Sequence, residues 1–381
     1  GLDATLNEIR SSVVEQGIEL LIIDSLRSLD VLANDEVAVQ SFIFGLGSAL
    51  FMLGCTTILV EDQYYPEGAT SSKQAISDSI IKLDVVSSGR TVSRQVEIVK
   101  VRGAAPVSGR HSFEITGSGL RVYPRVETLA AQDNRPERGE RMHSGISGFD
   151  AIIRGGFPAR SSTLLVGTPG IGKTTFGLQF VAEGLKQGDS CLYVTSHETT
   201  LQLVAKARHF GMDLQPALNS NLLRFMEVVP NGCSIDKAAH SVLDDIRARG
   251  VQRLVLDTVE PMEQDANREG RFLSVISALV RFLRAEGVTT LITRELPQVA
   301  GQALDIAGGG ESPWVAIDNI ILLRMVEINA SLKRVISVIK MRSSEHDDSF
   351  HYLTVGDEGL QVGESLEGFG GLLVGIPHKL T

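Results

Sequence analysis

The chain has 381 residues, of which 43% are hydrophobic and 22% charged. That is the balance of a globular protein with room for two domains of ordinary size. A net charge of −10 and a pI of about 5.4 argue against a protein that clamps bare nucleic acid, which needs a basic face to neutralise phosphates. Cys55, Cys191 and Cys233 lie far apart with no CxxC spacing, so no disulfide framework or zinc site is expected and a reducing cytoplasm fits. The chain opens on Gly with no charged-then-apolar segment following, and the missing Met points to a fragment or a processed chain.

Residues 18–26, IELLIIDSL, read as a strand ending in Asp24 and a small hydroxyl residue. Such a carboxylate orients magnesium beside a nucleotide, yet no phosphate-binding loop lies upstream of it. Residues 41–60, SFIFGLGSALFMLGCTTILV, carry no charge and are long enough to span a bilayer. DEVAVQ leads in like a helix first turn, Gly54 can cap the helix and CTTILV is β-branched. A helix followed by a strand is therefore expected, with no membrane span. The stretch 124–141, PRVETLAAQDNRPERGER, is polar and charged and reads as a linker.

Beyond the linker, the strands STLLV, CLYVT, LVLD and TTLIT alternate with the helical stretches TTFGLQFVAEGLK, KAAHSVLDDIRARG and FLSVISALVRFLRAEG. This pattern predicts a mostly parallel sheet with helices on both faces. The strands DNIILLRMVE, KRVISVIKM, FHYLTV and LQVG follow without helices and predict an antiparallel extension. A Gly-rich tail closes the chain.

The chain also repeats itself. IELLIID matches VQRLVLD, placing Asp24 against Asp257; GCTTILV matches GVTTLIT; VEIVKVRG matches ISVIKMRS; and GLRV at 119–122 matches GLQV at 359–362. The offset drifts from 233 to 240 residues, marking a short insertion in the second copy. The expected organisation is a first copy over 1–125, a linker over 126–141, a second copy over 142–363 and a tail over 364–381. The first copy lacks roughly its leading hundred residues, about half a typical domain.

The second copy carries TLLVGTPGIGKTT at 163–175: a strand, then GxxxxGKT, then a helix start. Gly167, Thr168, Pro169, Gly170, Ile171 and Gly172 form a loop whose main-chain N–H groups converge on phosphates where side chains would clash. The helix N-terminus adds favourable partial charge. Lys173 is expected to reach the β- and γ-phosphates, the Thr174 hydroxyl to ligate Mg²⁺, and Thr175 to complete the loop. Asp257 is the expected second magnesium residue. Hydrolysis also needs a group to orient or deprotonate water. His197 and Glu198, in YVTSHETT after the next strand, are the candidates, at the strand end where ligands bind in such sheets.

The segment RMHSGISGFDAIIRGGFPARSSTLLVGTPGIGKTTFGLQF resembles the KaiC family of RecA-like ATPases, and the resemblance covers nearly the whole chain as a tandem pair. Family domains carry an S/T-G-I-x-G-F-D segment before the phosphate loop and, later, K-x-R followed by a His. Here the latter are Lys340, Arg342 and His346. The resemblance implies a RecA-like P-loop fold with ATP and Mg²⁺ as cofactors. It also implies a homo-oligomeric ring, usually a hexamer, in which the Lys340–His346 segment reaches a neighbour's nucleotide. A cation supplied across an interface stabilises charge on the transferred phosphoryl and is worth on the order of 10³-fold or more in rate. The first copy keeps Lys100 and Arg102 but has Pro106 where the His would stand.

Three departures bear on function. The family typically has two adjacent glutamates, the first acting as base, where this chain has His197 and Glu198, so either slow hydrolysis or a base role for His197 is expected. The clock kinases carry a Ser-Thr phosphoacceptor pair where this chain has Trp314 and Val315, with Ser312 the only nearby hydroxyl, which weakens an autokinase role. Asp347 and Asp348 follow His346 where basic residues are more usual. Against Arg281, Arg284 and Glu286 of the second copy, the first has Ser48, Phe51 and Leu53, an apolar helix face that reads as a contact surface. The expected function is a Mg-dependent ring ATPase acting as a signalling switch with regulatory protein partners. A recombinase- or helicase-type DNA motor is one alternative. The loop 296–314, with no Lys or Arg and two acids, argues against it. A pseudo-ATPase that binds nucleotide as structural glue is the other.

Overall fold

The computed structural model describes residues 2–26, 36–62, 76–88, 91–129, 139–228, 234–260, 263, 270–296, 313–342, 344–373 and 377–379. Cys233, Ser312 and the interior of the 296–314 loop lie outside them. By compactness the chain divides into Gly1–Leu83 with Val96–Gly109, and Asp84–Gln95 with Arg110–Thr381.

The first copy contains α1 (Leu2–Gln16), β1 (Leu20–Asp24), α2 (Glu36–Met52), β2 (Thr56–Val60), β3 (Ser79–Ser88), β4 (Thr91–Val101), β5 (Arg110–Thr116) and β6 (Gly119–Tyr123). The uncharged run at 41–60 is a helix and a strand. Gly54, at φ +72°, ends α2 in the left-handed region that glycine adopts without strain. No helix among the described residues is long and apolar enough to cross a membrane. Alternation along β1 turns Leu21 and Ile23 toward α1 and α2, where they pack around Val39, Phe42, Ile43, Leu46 and Leu50. Leu20 and Ile22, on the opposite face, are exposed.

The second copy contains β7 (Arg141–Met142), α3 (Phe149–Ile152), β8 (Phe157–Pro158), β9 (Ser162–Gly167), α4 (Lys173–Gln187), β10 (Cys191–Thr195), α5 (Thr200–His209), α6 (Gln215–Asn219), β11 (Leu223–Glu227), α7 (Ile235–Arg249), β12 (Arg253–Asp257), α8 (Phe272–Glu286), β13 (Thr289–Glu295), β14 (Asn319–Ile328), β15 (Ser331–Met341), β16 (His351–Gly356) and β17 (Gly359–Ser365). Its sheet has nine strands in the order β11-β10-β12-β13-β9-β14-β15-β16-β17. The pairs from β11 through β14 are parallel, and those from β14 to β17 antiparallel. One face is covered by α7 and α8 through Val242, Ile246, Val275, Leu279 and Leu283. The other is covered by α4, α5 and the α3 region through Phe149, Phe176, Phe180 and Leu203. Each such fully buried side chain contributes about 1.5–3 kcal/mol.

The repeat holds residue by residue. β1 pairs with β2 in parallel with Leu20 opposite Thr56, and β12 pairs with β13 in parallel with Arg253 opposite Thr289. Both residues of the second pair stand 233 positions beyond the first. The helix before each pair, α1 or α7, shows the same correspondence, and β4 and β15 correspond at 240. The drift in offset therefore accrues between β2 and β3, and between β13 and β14.

Residues 110–128 also dock on the second copy's helices within the same compact unit. Lys237 of α7 pairs with Glu114 of β5, and His240 bonds the Pro124 carbonyl at 2.8 Å. Val126, at the start of the polar stretch, is fully buried against α7 and α8. Its N–H donates to Asp236, and Arg271 bridges Asp236 and Glu127.

Candidate functional site

The phosphate-loop sequence sits where β9 runs into α4. Gly167 must be glycine, because a Cβ there would come within 2.8 Å of Ile171 and 3.0 Å of Leu323. Gly172, at φ +123°, turns the chain into α4. The first turn of α4 has no side-chain cap, whereas α5 and α7 are capped by Thr199 and Ser234. Its orphan N–H groups form an anion site.

The segment ahead of the loop braces α4. Ser144 N–H bonds Asp150 at 3.0 Å, and Phe149 packs edge-on against Phe176 with centroids 5.1 Å apart. A Cβ on Gly148 would meet the Val362 carbonyl at 2.2 Å. Gln179 of α4 accepts from Leu360 N–H of β17 at 2.8 Å. The S-G-I-x-G-F-D motif thus ties the phosphate-loop helix to the far edge of the sheet.

Lys173 is only 7% exposed. Its ammonium donates to the Gly167 and Thr168 carbonyls at 2.9 and 3.1 Å and lies 3.7 Å from Glu295 at the end of β13. Burial lowers its pKa, and the negative charges of Glu295, Asp257 and Glu260 act in the opposite direction. Asp257 closes β12 in register with Thr195 of β10. Its two carboxylate oxygens accept from Tyr193 and Thr293, each at 2.6 Å. The loop, Lys173, Thr174 and Asp257 therefore come together at the carboxyl ends of β9, β12 and β13.

The residues fit a magnesium nucleotide. Thr168 Oγ1, Thr258 Oγ1 and Glu260 Oε2 are buried without hydrogen-bond partners, next to a buried lysine bonded to main-chain carbonyls. One carboxylate and one hydroxyl beside a phosphate cradle is the oxygen-rich, incomplete ligand set that magnesium takes.

His197 and Glu198 follow β10. His197 is exposed and Glu198 half-buried. The Glu198 carboxylate accepts from Lys206 of α5 at 2.6 Å, and its main chain is pinned in both directions by Thr195 Oγ1. Lys340 and Arg342 lie elsewhere. Asn319 pairs with both Met341 and Thr163, so the end of β15 sits at the beginning of β9. The phosphate loop begins four residues further along β9, about 13 Å at ~3.3 Å per residue. Lys340 donates to the Ile317 carbonyl at 2.7 Å and Arg342 to the Val315 carbonyl at 2.7 Å. Burial and the adjacent Arg342 lower the Lys340 pKa. His346 is half-buried beyond the strand.

Sequence reasoning missed Tyr193, Thr293, Glu295, Glu260 and Lys206. The one available signal was Gly177, a glycine in mid-helix, where it costs about 1 kcal/mol relative to Ala. A Cβ there would press on Val255 at 3.0 Å and on the Tyr193 hydroxyl at 3.2 Å.

The parallel sheet, the glycine-rich loop entering α4 and the aspartate two strands away define a RecA-like P-loop nucleotide-binding protein. A family model described as the KaiC ATPase matches residues 1–127 and 142–367, and the chain belongs to that ATPase family. It is 26% identical over 383 residues to the circadian clock oscillator protein KaiC of Synechococcus elongatus, covering all of this chain and 72% of that one. It is 25% identical to the proteins of the same name from Rippkaea orientalis and Parathermosynechococcus lividus, covering 72% and 70% of them.

Proposed function

We propose that the second copy binds ATP with magnesium at residues 167–175 and hydrolyses it slowly, as the nucleotide switch of a ring built from copies of this chain. The observation that carries this reading is Lys173. It is a buried ammonium bonded to its own loop's carbonyls and ringed by carboxylates, at the uncapped start of a helix. Main-chain N–H groups from Gly167 to Thr175 would grip the phosphates, and Lys173 would exchange carbonyl contacts for phosphate oxygens. Thr174 and Asp257 would hold magnesium, which supplies charge neutralisation between the β- and γ-phosphates.

Glu198 would orient the water, with His197 the alternative. The Lys206 contact on Glu198 and the single glutamate both favour slow turnover. The separation of Lys340, Arg342 and His346 from their own phosphate loop supports a role at a neighbour's nucleotide, which would couple hydrolysis to assembly. On this reading ring formation and regulatory protein partners follow the nucleotide state, and phosphorylation of the chain itself is a minor activity.

The test is steady-state phosphate release by the wild type and Lys173→Ala, with Mg²⁺ and with EDTA, alongside assembly size. Release that needs both Mg²⁺ and Lys173 supports the reading. Equal background rates with intact ATP binding would support the structural-glue alternative.

A further inference from the structure

The magnesium reading leaves unexplained why a tyrosine lies at the centre of the site. Tyr193 is on β10, between β11 and β12, and is fully buried. A buried hydroxyl must find a partner or cost roughly 1–3 kcal/mol, and this one finds Asp257, donating to its Oδ2 at 2.6 Å. Thr293 Oγ1 holds the other carboxylate oxygen at 2.6 Å. With both oxygens bonded, the Asp257 carboxylate has one orientation. The ring is held against Phe225, with centroids 5.5 Å apart, and against Gly177 of α4, where an added Cβ would press on it at 3.2 Å. The tyrosine thus reaches the site as a rigid strut from β10.

We propose that Tyr193 is a positioning residue of the magnesium site, its hydroxyl setting the orientation of the Asp257 carboxylate. The proposal rests on the reading of Asp257 as a magnesium residue. Magnesium demands near-ideal octahedral geometry, so a shift of that carboxylate shows in metal affinity before it shows in nucleotide affinity. Groups that orient metal-binding residues in this way typically contribute 10- to 100-fold to metal affinity.

The test compares ATP affinity in EDTA and in Mg²⁺, by equilibrium titration with a fluorescent ATP analogue, for wild type, Tyr193→Phe, Asp257→Asn and the double variant. Apo melting temperatures serve as the folding control. We expect Tyr193→Phe to fold, to bind ATP as the wild type does in EDTA, and to lose about tenfold of the Mg²⁺-dependent gain. Added to Asp257→Asn it should cost nothing further. A folded Tyr193→Phe protein with the full Mg²⁺-dependent gain would overturn the proposal. So would a variant that fails to fold, or one that loses affinity equally with and without metal, since either makes the hydroxyl purely structural. A wild type with no Mg²⁺-dependent gain would instead overturn the magnesium reading itself.

Discussion

The Lys173 ammonium and the Glu295 carboxylate are 3.7 Å apart, one at the start of the phosphate-loop helix and the other at the end of β13. An ATP phosphate would compete with Glu295 for the same ammonium.

This competition predicts that Glu295→Gln binds ATP more tightly, roughly two- to tenfold, because a half-exposed carboxylate is partly screened. Titration of metal-free ATP binding checks it. Weaker binding by the variant would assign Glu295 a direct role in holding the nucleotide.

Glu198 and Lys206 make the second pair of consequence. Glu198→Gln is expected to lower phosphate release by about 10²-fold or more, the ordinary contribution of a group that handles the attacking water. Lys206→Met is expected to raise it by freeing the carboxylate. The pair is read in a phosphate-release assay at saturating ATP. Unchanged rates in both variants would move the role to His197, for which His197→Ala is the control.

Acid should undo the docking of residues 126–128. Burial raises the Glu127 pKa, but hydrogen bonds from Arg271 and Arg125 outweigh it and hold the carboxyl at about 2, below its ordinary 4.5. A depressed carboxylate contributes stability that is complete above its unfolded pKa and lost as pH falls through the folded one. The loss belongs between about pH 4.5 and pH 2. Asp318 behaves alike: burial opposes ionisation, yet Arg284 and Ser162 hold its pKa down. Melting temperature against pH for wild type and Glu127→Gln tests this, with a shallower acid limb expected for the variant.

On α2, Phe44, Phe51 and Met52 stand on one helix face and are 62%, 80% and 85% exposed. Read as a contact surface between copies of the chain, this face predicts that Phe51→Glu reduces assembly size on a sizing column while leaving the melting temperature within about 1 °C, as for a surface substitution. An unchanged elution volume would remove the face from any assembly.

What could be read in advance was whatever depends on local pattern. The repeat matched β1 with β12 and β2 with β13 because alternation and length are properties of each strand alone. The loop from Gly167 to Thr175 was legible because its glycines and lysine are contiguous. Contacts made across the sheet were not. Tyr193 in CLYVT looks like any core aromatic until β10 is laid beside β12, in register Thr195 to Asp257. Lys206 meets Glu198 only because α5 turns back over the strand end, and Glu295 meets Lys173 only because β13 neighbours β9. The burial of Val126 in a charged stretch likewise depends on α7 and α8 offering a groove and on Arg271 reaching Glu127.

The central claim is that Lys173 and its loop bind ATP, and calorimetric titration of wild type and Lys173→Ala with Mg-ATP tests it most directly. The account predicts saturable binding at one site per chain by the wild type, weakened at least tenfold in a variant that melts as the wild type does. Equal affinity in the two proteins, or no binding by either, would contradict it.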